Sequence, residues 1–307
     1  MSAHAVRTEG LSMSYGDKQV LHGVDLAIPA GEIVALLGPN GAGKTTTMEI
    51  LEGFRGRSAG SVSVLGEDPQ TAGEAWRSRI GVVLQHWEDH ANWRVGEFLR
   101  LLHDHYRPFG DAWDAEELLA AVGLESQRDT PIKVLSGGQR RRMDLAAGLI
   151  GRPELLFLDE PSNGLDPVSR RDFQELVAKL NRDLGVTILM TTHDLHEAER
   201  LADRIVVLIG GRVLAEGTVA ALSEEMGERA EVRWTEDGRR RIERSADPLD
   251  LIDRVRARCG GTVADLEVRR SSLEDTYLAM VARALAGETL RADEEDEADP
   301  APSEERR

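Results

Sequence analysis

Cysteine is almost missing from this chain of 307 residues, which contains one, Cys259. An intramolecular disulfide and a cysteine-rich metal cluster are thereby excluded, and a lone thiol suits a reducing cytoplasm. Aromatic residues are scarce too, at 4%. No stretch approaches the ~18–20 uninterrupted apolar residues needed to cross a bilayer. The richest runs, Ile33–Leu37 and Ile205–Ile209, have the length of buried strands. Residues 1–10 carry His4, Arg7 and Glu9 without an apolar core, so secretion through an N-terminal signal is not expected. Positive charge is in short supply: 38 Lys and Arg face 55 Asp and Glu, a net charge of −17. That balance argues against non-specific nucleic-acid binding over the whole surface, since phosphate backbones select basic faces, and leaves only a local basic patch open.

What is present suffices for one sizeable α/β domain plus a small second one, or for two of ordinary size. Val20–Ile28 alternates in part and ends at Pro29-Ala30-Gly31. Glu32–Leu37 reads as a short buried strand, followed by a glycine-rich loop and a helix from about Lys44 to Gly53. Strands are predicted at Ile80–Leu84, Leu155–Leu158, Val186–Met190 and Ile205–Ile209, with helical periodicity between about Val95 and Ile150. Alternating buried strands and helices indicate a mostly parallel sheet, here with a helical insertion. After about Leu222 the composition shifts. A hairpin around Asp237-Gly238, a helix over Pro248–Arg258, a strand near Thr262–Val268 and a helix opened by Ser271 with Glu274 make a small α+β unit. The segment 288–307, with nine acids and almost nothing apolar, is expected to be disordered.

Three motifs carry chemistry. Gly38-Pro39-Asn40-Gly41-Ala42-Gly43-Lys44-Thr45 fits the phosphate-loop pattern G-x-x-x-x-G-K-[ST]. Its glycines let successive N–H groups turn toward phosphate oxygens, and the following helix adds its positive end. In that setting Lys44 reaches the β- and γ-phosphates and the Thr45 hydroxyl ligates Mg²⁺. Such a match arises by accident on the order of one time in a hundred in a chain this long. Leu155–Leu158 runs into Asp159 and Glu160, so a buried strand delivers one acid toward a metal shell and the next toward an attacking water. Alone this pair is common; it gains meaning from the phosphate loop. Leu135-Ser136-Gly137-Gly138-Gln139 precedes a helix and places a serine cap and two glycines at its start. That is a second phosphate-binding surface, which a single site does not need.

With this pentapeptide upstream of the Asp-Glu strand, the chain resembles the ATP-binding-cassette (ABC) ATPases. The resemblance implies an α/β phosphate-loop (RecA-like) ABC nucleotide-binding domain over residues 4–222. The pattern along the chain places an inserted helical subdomain at about 88–152, a small C-terminal α+β domain at 223–287 and a disordered acidic tail at 288–307. The resemblance assigns Gln85 to the link between Mg²⁺, the attacking water and the transporter contact. Ser162-Asn163-Gly164-Leu165-Asp166 resembles the loop that crosses the dimer interface, His193 the histidine that meets the γ-phosphate, and Tyr15 the aromatic that stacks on adenine. By the same resemblance ATP is bound by Tyr15, the loop from Gly38 to Thr46 (Thr46 included), Ser136, Gly137, Gly138, Gln139 and Asp166. Thr45, Gln85 and Asp159 hold the metal, and Glu160, His193, Lys44 and Gln85 act in hydrolysis.

The family pairs two cassettes head to tail, and one chain carries one surface of each kind, so a symmetric homodimer closes both sites. Separate transmembrane permease subunits are implied, with the chain cytoplasmic and peripheral at the inner face of the membrane. Trp87, Trp93 and Val95–Leu99 lie where a groove for a permease helix is formed in the family, although packed tryptophans are an equal alternative. Ser271–Leu278 resembles the end of daunorubicin-resistance-type drug or antibiotic exporter ATPases and points to export. Arg140-Arg141-Arg142 reads as a solvated or interface face. The alternatives are a cassette ATPase acting on nucleic acid or ribosomes, a regulatory nucleotide-binding module without turnover, and an importer ATPase.

Overall fold

The computed structural model describes residues 4–85, 91–225, 230–236, 239–245, 247–259 and 261–269, with 274, 277, 278 and 280–282. Trp87, Asp237-Gly238, Ser271 and the segment 288–307 lie outside them. In chain order the elements are β1 (His4–Tyr15), β2 (Lys18–Pro29), β3 (Ile33–Leu37), α1 (Lys44–Leu51), β4 (Ala59–Val64), α2 (Glu74–Arg77), β5 (Ile80–Val83), α3 (Val95–Tyr106), α4 (Ala115–Val122), α5 (Gly137–Leu149), β6 (Leu155–Asp159), α6 (Pro167–Leu184), β7 (Thr187–Thr192), α7 (Leu195–Leu201), β8 (Arg204–Ile209), β9 (Arg212–Gly217), α8 (Val219–Glu225), β10 (Ala230–Glu236), β11 (Arg239–Ser245), α9 (Pro248–Arg258) and β12 (Ala264–Arg269).

The strands at the centre are apolar on both faces because both faces are covered. β5, β6, β7, β3, β8 and β9 lie side by side in that order, parallel except for the β8–β9 hairpin. Successive side chains point to opposite faces of a strand. Thus Ile33, Ala35 and Leu37 of β3 and Leu156 and Leu158 of β6 enter a core shared with α3 to α7. Val34, Leu36, Leu155 and Phe157 enter a second core, shared with α1 and a separate antiparallel sheet, β2-β1-β4. That second sheet is the main departure from the expected pattern. β1 and β4 are long or irregular, with register shifts that break simple alternation, so their pairing is not legible in the local sequence.

α3, α4 and α5 occupy the interval between β5 and β6. Beyond Leu222, β11-β10-β12 form a third sheet, and α9 covers one face around Val232, Trp234, Leu251 and Val255. The chain then returns: Met280 is buried in the core of the cassette, with Tyr277 and Val281 packed against it.

Candidate functional site

Parallel strands deliver their carboxyl ends to one rim, and ligands of open α/β sheets bind at that rim. β3 ends there and runs into the phosphate loop. Gly43, with φ +105°, is the residue before α1. A side chain at Gly38 is impossible, because its Cβ would lie 2.2 Å from the Leu208 carbonyl oxygen. The loop folds around its own lysine. Lys44 is 6% exposed, and its Nζ donates to the carbonyls of Gly38 at 2.7 Å and Pro39 at 3.3 Å. Burial pushes this ammonium below its usual pKa, while Glu160 and Asp159 pull it back up. A dehydrated cation beside two carboxylates is held ready for an anionic ligand.

β6 ends beside it. Strand alternation carries Asp159 to the face of Phe157, toward α1, and its Oδ1 accepts a hydrogen bond from the Thr191 hydroxyl of β7 at 2.5 Å. Glu160 adopts φ +43°, a left-handed conformation that costs a non-glycine residue about 1–3 kcal/mol. Its backbone is pinned on both sides. The N–H donates to the Thr191 hydroxyl at 3.0 Å and lies 3.2 Å from the Thr191 carbonyl, and its carbonyl accepts from Arg141 Nη2 at 3.2 Å. The carboxylate is consequently aimed. Oε1 meets His193 Nδ1 at 3.1 Å, Oε2 accepts from Asn163 Nδ2 at 3.1 Å, and Lys44 Nζ stands 4.0 Å away.

Asn40, Gly41, Gly43, Lys44, Thr45, Thr46, Gln85, Glu160 and His193 line one open cavity of about 560 Å³, joined by Val20 and Asn163. Gly38, Pro39 and Ala42 form the loop behind it. Tyr15 ends β1 at its edge, 42% exposed, with its hydroxyl 3.4 Å from that of Thr46 and the Arg55 guanidinium 5.0 Å from its ring centre. Asp159 lies beneath the cavity and does not line it. Neither do Ser136, Gly137, Gly138, Gln139 or Asp166. Ser136 caps α5 in a reciprocal box with Gln139, at 3.0 and 3.3 Å. Asp166 caps α6 through the N–H groups of Val168 and Ser169. Ser136, Gly137 and Asp166 are exposed at these two helix starts.

Two neighbours escape a motif scan, Val20 and Arg141, while Asn163, read as part of the loop 162–166, also lines the cavity. Val20 looks ordinary, a residue within a strand. Arg141 belongs to the basic run at 140–142, and here the expectation of a solvated face fails. Its side chain is buried, donating to Pro161 O at 2.7 Å, Leu84 O at 2.8 Å and Glu160 O. It thus ties the helix opened by Ser136 to the end of β5 and to Glu160. Its position three and four residues before the buried Asp144 and Leu145 marks the inward face of α5.

A phosphate loop, an acidic strand end and a histidine around one cavity on a doubly covered sheet define a phosphate-loop nucleoside triphosphatase. The particular family emerges from comparison with known proteins. Residues 21–163 match the family model described as ABC transporter. The daunorubicin/doxorubicin resistance ATP-binding protein DrrA of Streptomyces peucetius is 36% identical over 90% of this chain and 92% of its own length. The Nod factor export ATP-binding protein I of Burkholderia orbicola is 36% identical over 92% of this chain and 99% of its own. Among solved structures, the ATP-binding subunit of an ABC transporter superposes with a TM-score of 0.64 at 29% identity, covering 73% of this chain and 93% of that one. A cassette solved as a post-hydrolysis dimer bound to ADP and Pi gives 0.61 at 26% identity, covering 69% and 98%. The chain belongs to the ATP-binding proteins of ABC transporters. It is an ATPase subunit, homologous to the ATP-binding proteins of drug and Nod factor exporters.

Proposed function

We propose that this chain drives export through separate membrane subunits by hydrolysing MgATP in a head-to-tail homodimer, from the cytoplasmic face. The observation that carries the proposal is the division of labour within one chain. The phosphate loop, Gln85, Glu160 and His193 share a cavity, whereas Ser136–Gln139 and Asp166 lie elsewhere and present helix starts outward. Two copies related by a two-fold axis bring each kind of surface against the other. The export direction rests on the relatives named above, and no helix among the described residues is long and apolar enough to cross a membrane.

In this mechanism the loop N–H groups from Asn40 to Thr46 and the N-terminus of α1 cradle the phosphates, and Lys44 exchanges its carbonyl partners for phosphate oxygens. Tyr15 offers its ring to the adenine. Thr45, Gln85 and Asp159 supply only oxygen donors, the chemistry that suits Mg²⁺, which takes few protein ligands beside the phosphates. Bound with the nucleotide, Mg²⁺ neutralises phosphate charge. Glu160 holds the attacking water and takes its proton, and His193, aligned by Glu160, contacts the γ-phosphate. The partner's Ser-Gly-Gly start closes the far side. Within the chain we assign residues 4–222 to the cassette, about 88–152 to its helical subdomain and 223–287 to an accessory unit anchored through Met280.

Glu160→Gln tests the assignment, since it removes the base and keeps the shape. Turnover should fall by ~10²–10³ while ATP binding persists and an ATP-bound dimer accumulates in size-exclusion chromatography. Unchanged turnover would sink the role of Glu160.

A further inference from the structure

A second carboxylate lies behind the cavity without a place in that mechanism. Glu197 projects from the first turn of α7 and is 3% exposed. Buried carboxylates are rare unless paired, and its Oε1 has no hydrogen-bond partner. Around it stand the hydroxyls of Ser162 and Thr192, both buried, and the charges of Arg170 and Asp194. Burial pushes the carboxyl above its usual range, Asp194 adds to that, and the two hydroxyls and Arg170 oppose it. Ser162, Thr192 and Asp194 belong to segments that touch the site. Ser162 opens the loop that ends at Asp166, and Asn163 next to it holds Glu160 Oε2. Thr192 precedes His193, and its hydroxyl accepts from the Asp194 N–H at 3.0 Å. Arg170 spans the same gap from α6, with Nη1 3.3 Å from Asp194 Oδ2 and Nη2 3.5 Å from the Leu165 carbonyl. Arg170 Nε is likewise buried without a partner.

We propose that Glu197 is a positioning residue, which joins the loop 162–166 to the segment carrying His193 so that the two move as one body. The loop and the segment of His193 follow different strands, β6 and β7, and among the described residues Glu160 and Arg170 bridge them by hydrogen bonds. A buried carboxylate between their hydroxyls makes a displacement of one felt by the other. Glu197 Oε1 and Arg170 Nε are both buried at this junction without a protein partner. By this account the Asp166 loop reports to the γ-phosphate end of its own cavity through Glu197.

The inference rests on the assignment of Glu160 and His193 to hydrolysis, and the experiment separates the two. Full-length Glu197→Gln, Ser162→Ala and the double variant are compared with wild type and with Glu160→Gln for kcat, KM, ATP binding and melting temperature. Each single variant should lower kcat on the order of tenfold, the coupling typical of contacting residues, with KM and ATP affinity within about twofold. The double variant should be no slower than the worse single one. If Glu160→Gln stalls turnover while Glu197→Gln and Ser162→Ala keep kcat within about twofold, the junction is wrong and the hydrolysis assignment stands. If Glu160→Gln leaves turnover intact, that assignment falls first. Losses that multiply in the double variant, or that track ATP affinity and melting temperature in both singles, indicate only a packing role and overturn the proposal.

Discussion

The cassette and the C-terminal region handle charge in opposite ways. Up to Leu222 the protein buries Lys44, Glu52, Arg141, Asp144 and Glu197, several of them around a single rim. Beyond it, β10, β11, β12 and α9 close over four buried apolar residues and leave most of their charges in surface pairs, such as Arg254 with Asp250 and Arg240 with Glu267. Surface pairs of this kind contribute ~0–1 kcal/mol and can be exchanged freely. Buried ions cost several kcal/mol each unless compensated, and they persist where something else requires them. The difference teaches that the chemistry of this chain is stored in the cassette, while the C-terminal region is held by a thin core and by its return to the cassette through Met280.

The strongest way to break that comparison is to separate the two surfaces of the cassette. Lys44→Ala and Ser136→Glu should each abolish turnover, on the order of 10²–10³-fold, by removing the phosphate cation and by placing negative charge at the signature helix start. Mixed one to one, the two inactive chains should regain activity, about a quarter of wild type if sites act independently. In the heterodimer one site keeps both an intact Lys44 and an intact Ser136. A steady-state ATPase assay of the mixture checks this, and a mixture as inactive as its parts would rule out the composite site.

A smaller effect comes from Glu52, just past α1. Burial, reinforced by Asp159 and Glu49, raises its pKa to about 8. A carboxyl whose folded pKa lies above the unfolded 4.5 binds more protons folded than unfolded between those values, so stability falls as pH rises through that window. The loss between pH 5 and pH 8 should be ~3 kcal/mol from this one group. Glu52→Gln should flatten the slope and stabilise the protein at pH 8, as read by denaturant melts at the two pH values. A variant with the wild-type slope would show that the burial of Glu52 is compensated.

How much of this was legible beforehand follows the range of the interactions. Gly38 to Thr46, Leu155 to Glu160 and Leu135 to Gln139 are contiguous, and each performs its task within one turn or strand end, so the residues announce themselves. The parallel sheet was legible for the same reason, since β3, β6 and β8 are unbroken apolar runs covered on both faces. What stayed hidden depends on partners far along the chain. Arg141 looked solvated because two arginines flank it, and only its three carbonyl acceptors, from β5 and from the turn after β6, show otherwise. Val20 reaches the cavity from a sheet whose bulged register no local pattern encodes. Glu197 sits in a stretch of charged helix, His196 to Arg200, where a buried acid has no local signature.

The smallest expected effect concerns the tie between the two regions. Tyr277, Met280 and Val281 belong to the segment that composition placed in the C-terminal unit, yet they pack in the cassette core. There Leu37, Leu195, Ile205, Val207 and Leu222 surround the Tyr277 and Met280 side chains. Met280→Ala should destabilise this docking by ~2 kcal/mol, the order expected when a buried methionine is truncated. Since Leu195 begins the helix that follows His193, a docking that mattered to the cavity would alter ATP affinity. One that serves as an anchor alone would leave affinity unchanged while speeding hydrogen exchange in α9 and β10. The division of charge between the two regions favours the anchor. Hydrogen exchange with and without ATP distinguishes the outcomes, and a change in ATP affinity in Met280→Ala would place the C-terminal region within the working part of the cassette.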